Sequence, residues 1–181
     1  MEADPVALFE SAASHAADVI AKVRQEQLAS PTPCSEWNVQ QLIGHMRDGT
    51  SYLLAVVGLS VEPPALNEGA YRDAIARCVD ELRRPGALEA RCQSPLGFEW
   101  SVAEATAGTF MDQLVHTWDL AVATGQDRSL DPILAQACVD MFLPHMPEMG
   151  RAGGIVGPAV PVPSEAPAQD QLLGAMGRRP D

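Results

Sequence analysis

Apolar and polar residues follow a helical period over most of the chain, beginning near the N-terminus. In residues 5–28, apolar side chains such as Val6, Phe9, Ile20 and Val23 recur on one helical face. The spacing therefore predicts an amphipathic helix over residues 5–28. The prolines of the next stretch, ASPTPCSEWN, predict where that helix must end.

A second helix has a recognisable start. Asn38 is a favoured N-cap residue, and Gln41 stands three positions later, as in a capping box. We predict a helix over residues 39–59, with an apolar face formed by Val39, Leu42, Ile43, Met46, Leu53 and Val56. The stretch SVEPPALN should break this helix, and a third helix is predicted over residues 67–84, ended by RRPG.

The second half of the chain begins with an irregular stretch, residues 86–100, that contains a short extended piece at ARCQSPLGFEW. Ser101 and Glu104 then form a second capping box for a helix over residues 102–124, and Gly125 fits the position just after its end.

Two further helices are predicted towards the C-terminus. Asp131 is an N-cap followed by a proline, which indicates a fifth helix over residues 132–143. The tail from Gly150 is rich in Gly and Pro, with an extended arm at GPAVPVP and a short final helix within SEAPAQDQLLGAMG.

Long helices with few strand signals predict an all-α fold, a helix bundle in one domain. We expect the fifth helix and the tail, 150–181, to pack around a four-helix core. That core comprises the helices over 5–28, 39–59, 67–84 and 102–124, within a single domain spanning 1–181.

Charge and composition exclude several classes of function. The formal net charge of −12 argues against binding to nucleic acid and to anionic membranes. The N-terminal sequence lacks the positive charge of a signal peptide, and no apolar run approaches 18 residues, so we expect a cytoplasmic protein. The four cysteines are dispersed, which is not typical of a cysteine-based zinc cluster.

Three residues form the strongest candidate for chemistry. Asp112 and His116 are four positions apart, so they share one face of the helix over 102–124. His45 lies on the otherwise apolar or small stripe of the helix over 39–59. A carboxylate and two imidazoles would satisfy one another through a divalent metal ion, and three ligands would leave open coordination positions.

Simpler interpretations remain open on these spacings. Asp112 and His116 are also compatible with a hydrogen-bonded pair, and His45 with a satisfied core histidine. Asp119 is either an outer partner that orients His116 or a capping or surface residue. His15 and His145 are weaker ligand candidates, Trp37 is interpreted as a hydrophobic staple before the second helix, and no nucleotide-binding loop is found.

Three stretches carry a resemblance to a known family: TPCSEWNVQQLIGHM, DQLVHTWDLAVATGQD and GPAVPVPSEAPAQDQLLGAMGR. They resemble the DinB-like metalloprotein superfamily, in the branch related to the N-terminal domain of mycothiol-dependent maleylpyruvate isomerase. The resemblance implies a four-helix bundle, often a homodimer. It also implies a zinc ion, or a similar divalent ion such as Ni, Mn or Fe, held by the residues that match His45, Asp112 and His116.

The resemblance further implies a thiol-dependent S-transferase or isomerase acting on an electrophilic small molecule, with mycothiol as a possible co-substrate. Two departures weaken this implication: the isomerase has Glu where this chain has Asp112, and it carries a second domain that these 181 residues do not include. Two alternatives stay open. One is an enzyme of specialised metabolism that uses the bundle cavity without a thiol. The other is a non-catalytic metal-binding or stress protein, with His145 as a fourth ligand.

Overall fold

The computed structural model describes residues 4–59 and 68–180. Within those ranges the chain is mostly helical, with one antiparallel two-stranded sheet, so the predicted all-α class is confirmed. The predicted break at SVEPPALN and the predicted first residue of the third helix lie outside the described residues. The helices are α1 (Pro5–Ala21), α2 (Val39–Val56), α3 (Glu68–Leu82), α4 (Val102–Thr124), α5 (Pro132–Phe142), α6 (Met146–Ala152) and α7 (Ala168–Ala175).

The two predicted capping boxes are both formed. Asn38 Oδ1 accepts from the Gln41 backbone N–H at 2.9 Å, and Gln41 Oε1 accepts from the Asn38 N–H at 3.0 Å. Ser101 and Glu104 exchange the equivalent bonds at the start of α4. Gly125 ends α4 with φ of +68°, a left-handed conformation that glycine adopts without a Cβ penalty. Local sequence thus sets where both helices that carry the candidate residues begin and where α4 ends. Helix α2 ends at Val56, three residues before the predicted end at residue 59.

The first helix is shorter than predicted. It ends at Ala21, and residues Gln25–Gln27 form a separate 3-10 turn. Two side-chain hydrogen bonds connect this region with the end of α4: Gln126 Nε2 donates to the Val19 carbonyl at 3.0 Å, and Gln27 Nε2 donates to the Thr124 carbonyl at 2.9 Å. These bonds tie the end of α1 and the turn to the end of α4. The predicted extension of the helix to residue 28 was wrong.

Two features complete the second half of the chain. The predicted extended piece forms a hairpin of β1 (Arg91–Gln93) and β2 (Glu99–Ser101), with Cys92 opposite Trp100. Helix α6 was not predicted, because its glycine and proline lower helix propensity. Packing offsets this weakness: a Cβ atom at Gly150 would lie 2.5 Å from the Val156 side chain, so the helix is in close contact there.

The chain divides into two compact units, Met1–Arg128 and Ser129–Asp181. In the first unit α4 packs against α1 and α2, and α3 also packs against α1 and α2. Helix α4 is buried on nearly every side, including at the polar residues Gln113, His116 and Asp119. In the second unit α5 packs against α7. The single-domain assignment of 1–181 stays a prediction.

Candidate metal centre

The side chains of His45 and Asp112 meet where α2 packs against α4. His45 Nε2 lies 3.1 Å from Asp112 Oδ1. One turn beyond His45, Gly49 faces α4, and a Cβ atom there would lie 3.4 Å from Thr109 Cγ2 and 3.9 Å from Asp112 Oδ2. The two helices are therefore within van der Waals contact of each other one turn beyond His45.

His116 joins the cluster from the next turn of α4. Its Nε2 atom is 3.3 Å from the same Asp112 Oδ1 atom. The potential ligand atoms of His45, Asp112 and His116 all lie within 4.8 Å of one another. The side chains of His45 and Asp112 are 35% and 31% exposed, against 10% for His116, so the cluster opens to solvent on the side of the first two. The structure therefore brings together the three residues predicted from helical phase.

Asp119 holds the other edge of the His116 ring. Its carboxylate is fully buried, and Oδ2 lies 2.9 Å from His116 Nδ1. A carboxylate only accepts hydrogen bonds, so Nδ1 carries the proton and donates. When His116 is neutral, Nε2 is therefore the nitrogen with the free lone pair. Burial rules out the surface role considered for Asp119.

Cys34 is a member of the site that the sequence pattern did not reveal. Its thiol donates to Asp119 Oδ2 at 3.3 Å, and its Sγ lies 3.8 Å from His116 Nδ1. Cys34, His116 and Asp119 form a second group whose potential ligand atoms lie within 4.8 Å of one another. Cys34 lies in the loop before α2, where no periodicity indicates which way a side chain points.

Trp37 covers the two histidines. Its ring centroid lies 4.5 Å from that of His45 and 5.7 Å from that of His116. The interpretation of Trp37 as a hydrophobic staple did not include this contact. The only sequence signal was its place next to the N-cap residue Asn38, which sets the direction of the chain as it enters α2.

Electrostatic coupling between Asp112 and His116 is strong. Burial disfavours a charge on Asp112, but His116 and His45 overcome that effect and hold the pKa of Asp112 well below its usual range. Burial likewise disfavours a charge on His116, yet Asp112 above all, with Asp119 and Cys34, raises the pKa of His116 well above its ordinary value of 6.5. Without a metal ion, the site therefore holds a carboxylate beside an imidazolium.

The other two histidines are members of neither group. His15 is on α1, and His145 is the exposed N-cap residue of α6. In residues 4–59 and 68–180, the groups whose geometry suits a metal ion contain neither of them. The geometry therefore favours His45, Asp112 and His116 over these two candidates.

Comparison with known families identifies the family of this chain. Residues 9–121 match the model of the mycothiol maleylpyruvate isomerase N-terminal domain. The chain belongs to that family, which is DinB-like. The matched region includes α2 and nearly all of α4, and with them each residue of the cluster.

Relatives of this family member extend over almost the whole chain. Two proteins of Mycobacterium tuberculosis, uncharacterized protein Rv0738 of strain H37Rv and uncharacterized protein MT0763 of strain CDC 1551, are each 34% identical to it. Each alignment covers 97% of this chain and 98% of the relative. No solved structure matches the chain. None of the helices in the described ranges has the length and apolar character needed to cross a membrane.

Proposed function

We propose that His45, Asp112 and His116 bind one divalent metal ion, with zinc as the best-suited ion. The observation that carries this proposal is the convergence of three potential ligand atoms, one carboxylate oxygen and two ring nitrogens, within 4.8 Å. Two imidazoles and one carboxylate are a frequent ligand set for catalytic zinc and leave a position open for water or substrate.

The spacing of the atoms fits such an ion. Tetrahedral zinc with bonds of about 2.0–2.1 Å to nitrogen and oxygen requires ligand atoms roughly 3.3 Å apart. The separations from Asp112 Oδ1 to the two Nε2 atoms are 3.1 and 3.3 Å. The hydrogen bond from His116 Nδ1 to Asp119 also fits, because it holds the tautomer in which Nε2 can bind a metal.

We further propose that this site supports a thiol-dependent S-transferase or isomerase reaction on an electrophilic small molecule, with mycothiol as the thiol. Membership of a family named for a mycothiol-dependent isomerase supports this. A divalent ion in the site would lower the pKa of a bound thiol and favour the thiolate, the nucleophilic form.

The protein groups around the ion have separate roles in this proposal. His45 and Asp112 line the exposed side, where a thiol would enter. Trp37 lies over both imidazoles and limits the approach of water from that direction. Asp119 keeps the His116 ring oriented from the buried side. By the same proposal, helices α1 to α4 are the DinB-like four-helix bundle that holds these groups in place.

Metal analysis tests the first part of the proposal. Protein purified without added metal, then titrated with zinc, should bind about one equivalent per chain. His45→Ala should abolish that binding. His15→Ala, which removes a histidine from α1, is the matched control and should bind as the wild type does. Wild-type protein that stays metal-free after titration would refute the proposal.

Thiol-dependent turnover tests the second part. The zinc-loaded protein should accelerate the reaction of mycothiol with small electrophiles, maleylpyruvate among them, and His45→Ala should lose this activity. Circular dichroism should show that the variant keeps its helices. If the wild type binds zinc but its turnover equals that of His45→Ala, the proposed metal site stands and the proposed thiol reaction is excluded.

A further inference from the structure

Arg47 is a buried cation on the face of α2 that packs against α3. The residue is 3% exposed. Its Nε, Nη1 and Nη2 atoms have no hydrogen-bond partner among the described side chains, which leave out those of residues 60–68. A guanidinium group carries five N–H donors and remains charged in proteins, so its burial without acceptors is costly. Such groups in native proteins are paired, which calls for an acceptor.

The contact with Tyr71 does not supply that acceptor. Arg47 Cζ lies 5.8 Å from the centroid of the Tyr71 ring, a distance at which the ring face attracts a cation. The attraction offsets part of the cost of burial but accepts no conventional hydrogen bond. The Tyr71 hydroxyl is itself engaged, because it donates to Gln113 Oε1 at 3.0 Å.

A second polar group on the same face of α2 also lacks a partner among the described residues. Ser51 is one turn beyond Arg47, and its buried Oγ has no partner within the described ranges. Helical hydroxyls are often satisfied by the carbonyl four residues earlier. The four threonines of α4 all form that bond, namely Thr106, Thr109, Thr117 and Thr124. Ser51 departs from this pattern, so its hydroxyl is available to a ligand.

We propose that Arg47 and Ser51 bind a small oxyanion, a carboxylate or a phosphate, between α2 and α3. A guanidinium fork matches such an anion through two parallel N–H bonds, and a serine hydroxyl adds a third donor. This site is separate from the metal centre. Residues two apart on a helix are about 200° apart around its axis, so Arg47 faces away from His45, which reaches α4.

Thermal melts of the full-length protein test the anion site, with sodium phosphate and sodium succinate as probes and sodium chloride as the ionic-strength control. At least one oxyanion should raise Tm in a saturable way, by about 5–10 °C at a roughly hundredfold excess over Kd. Arg47→Met should abolish the saturable rise, and Ser51→Ala should weaken it. The proposal is wrong if neither oxyanion raises Tm more than chloride does, or if the Tm of Arg47→Met rises as that of the wild type does.

Two further variants test whether a carboxylate of the chain itself pairs with Arg47, and whether the anion binds at the metal centre instead. The 60–67 segment contains one carboxylate, Glu62. Glu62→Gln tests whether this carboxylate is the partner of Arg47. In that case an oxyanion should raise the Tm of Glu62→Gln but not that of the wild type. This result would overturn the proposal of a free ligand. His45→Ala should keep the full response. Loss of the response in His45→Ala would assign the anion to the metal centre instead.

Discussion

Asp119 Oδ2 accepts a hydrogen bond at 2.9 Å from His116 Nδ1, while Asp112 Oδ1 lies 3.3 Å from Nε2 of the same ring. The imidazole is therefore held between two carboxylates of one helix, one buried and one partly exposed. The buried carboxylate sets the tautomer, and the partly exposed one faces the proposed metal ion.

This relationship predicts the effect of Asp119→Asn. An amide is a weaker acceptor than a carboxylate and leaves His116 less basic, so zinc affinity should fall about 10- to 100-fold. Competition with a chromophoric zinc chelator measures the change. Asp140→Asn removes an exposed carboxylate from α5 and should leave the affinity unchanged. Equal affinities for Asp119→Asn and the wild type would show that Asp119 does not support the metal site.

The Asp112–His116 pair predicts how the stability of the metal-free protein depends on pH. The pKa of His116 is raised on folding, so its contribution is complete below about pH 6.5 and is lost as the pH rises through the raised pKa. The pKa of Asp112 is lowered, so its contribution is present above about pH 3.9 and is lost as the pH falls through the lowered pKa. The pair therefore stabilises the fold most between these limits.

Urea unfolding in the presence of a chelator, repeated across the pH range, measures this dependence. Other groups titrate as well, so the informative quantity is the difference between the wild type and Asp112→Asn. That difference should be largest between about pH 3.9 and 6.5 and should shrink at both extremes. A difference that does not change with pH would contradict the coupling of the two residues.

Most helices could be predicted because their signals are local. The capping pairs at Asn38 and Ser101 and the apolar period of each helix act within a few residues. The end of α1 was not predicted, and the contacts around it include hydrogen bonds from Gln126 to Val19 and from Gln27 to Thr124. These partners are about a hundred residues apart in sequence, beyond the reach of any helical pattern.

The same distinction applies to the site. His45, Asp112 and His116 lie on helices, so their faces follow from the 3.6-residue period. Cys34 and Trp37 lie in a loop without a period, and the path of that loop over the imidazoles is a tertiary property. Burial of Asp119 could not be inferred either. Polar residues usually mark the solvent-facing side of a helix, but α4 is covered on nearly every side, so its polar residues are buried as well.

The four cysteines should differ sharply in reactivity. Cys78 and Cys138 are fully buried, and burial raises the pKa of each thiol to about 12, so little thiolate forms at pH 8. Cys34 and Cys92 are partly exposed. Iodoacetamide at pH 8 should therefore label these two first, as peptide mass spectrometry would show. Labelling in urea should reach all four, and native labelling of Cys78 as fast as that of Cys92 would contradict the packing described.

Two glycines in helices should respond to alanine in opposite directions. In α7, a Cβ atom at Gly174 would lie 2.7 Å from the Val160 carbonyl oxygen and 2.9 Å from Val162 Cγ1. A backbone oxygen cannot move aside as a flexible side chain can, so Gly174→Ala should destabilise the protein by about 1–3 kcal/mol.

The matched control is Gly44 in α2, where a Cβ atom would meet nothing within 4 Å. Gly44→Ala should stabilise the protein by about 0.5–1 kcal/mol, because alanine loses less backbone entropy in a helix than glycine does. Urea unfolding of both variants measures the free energies. The Val160 N–H donates to the Gly174 carbonyl at 2.9 Å, which holds the extended arm close to α7. If Gly174→Ala is as stable as the wild type, this close packing is contradicted.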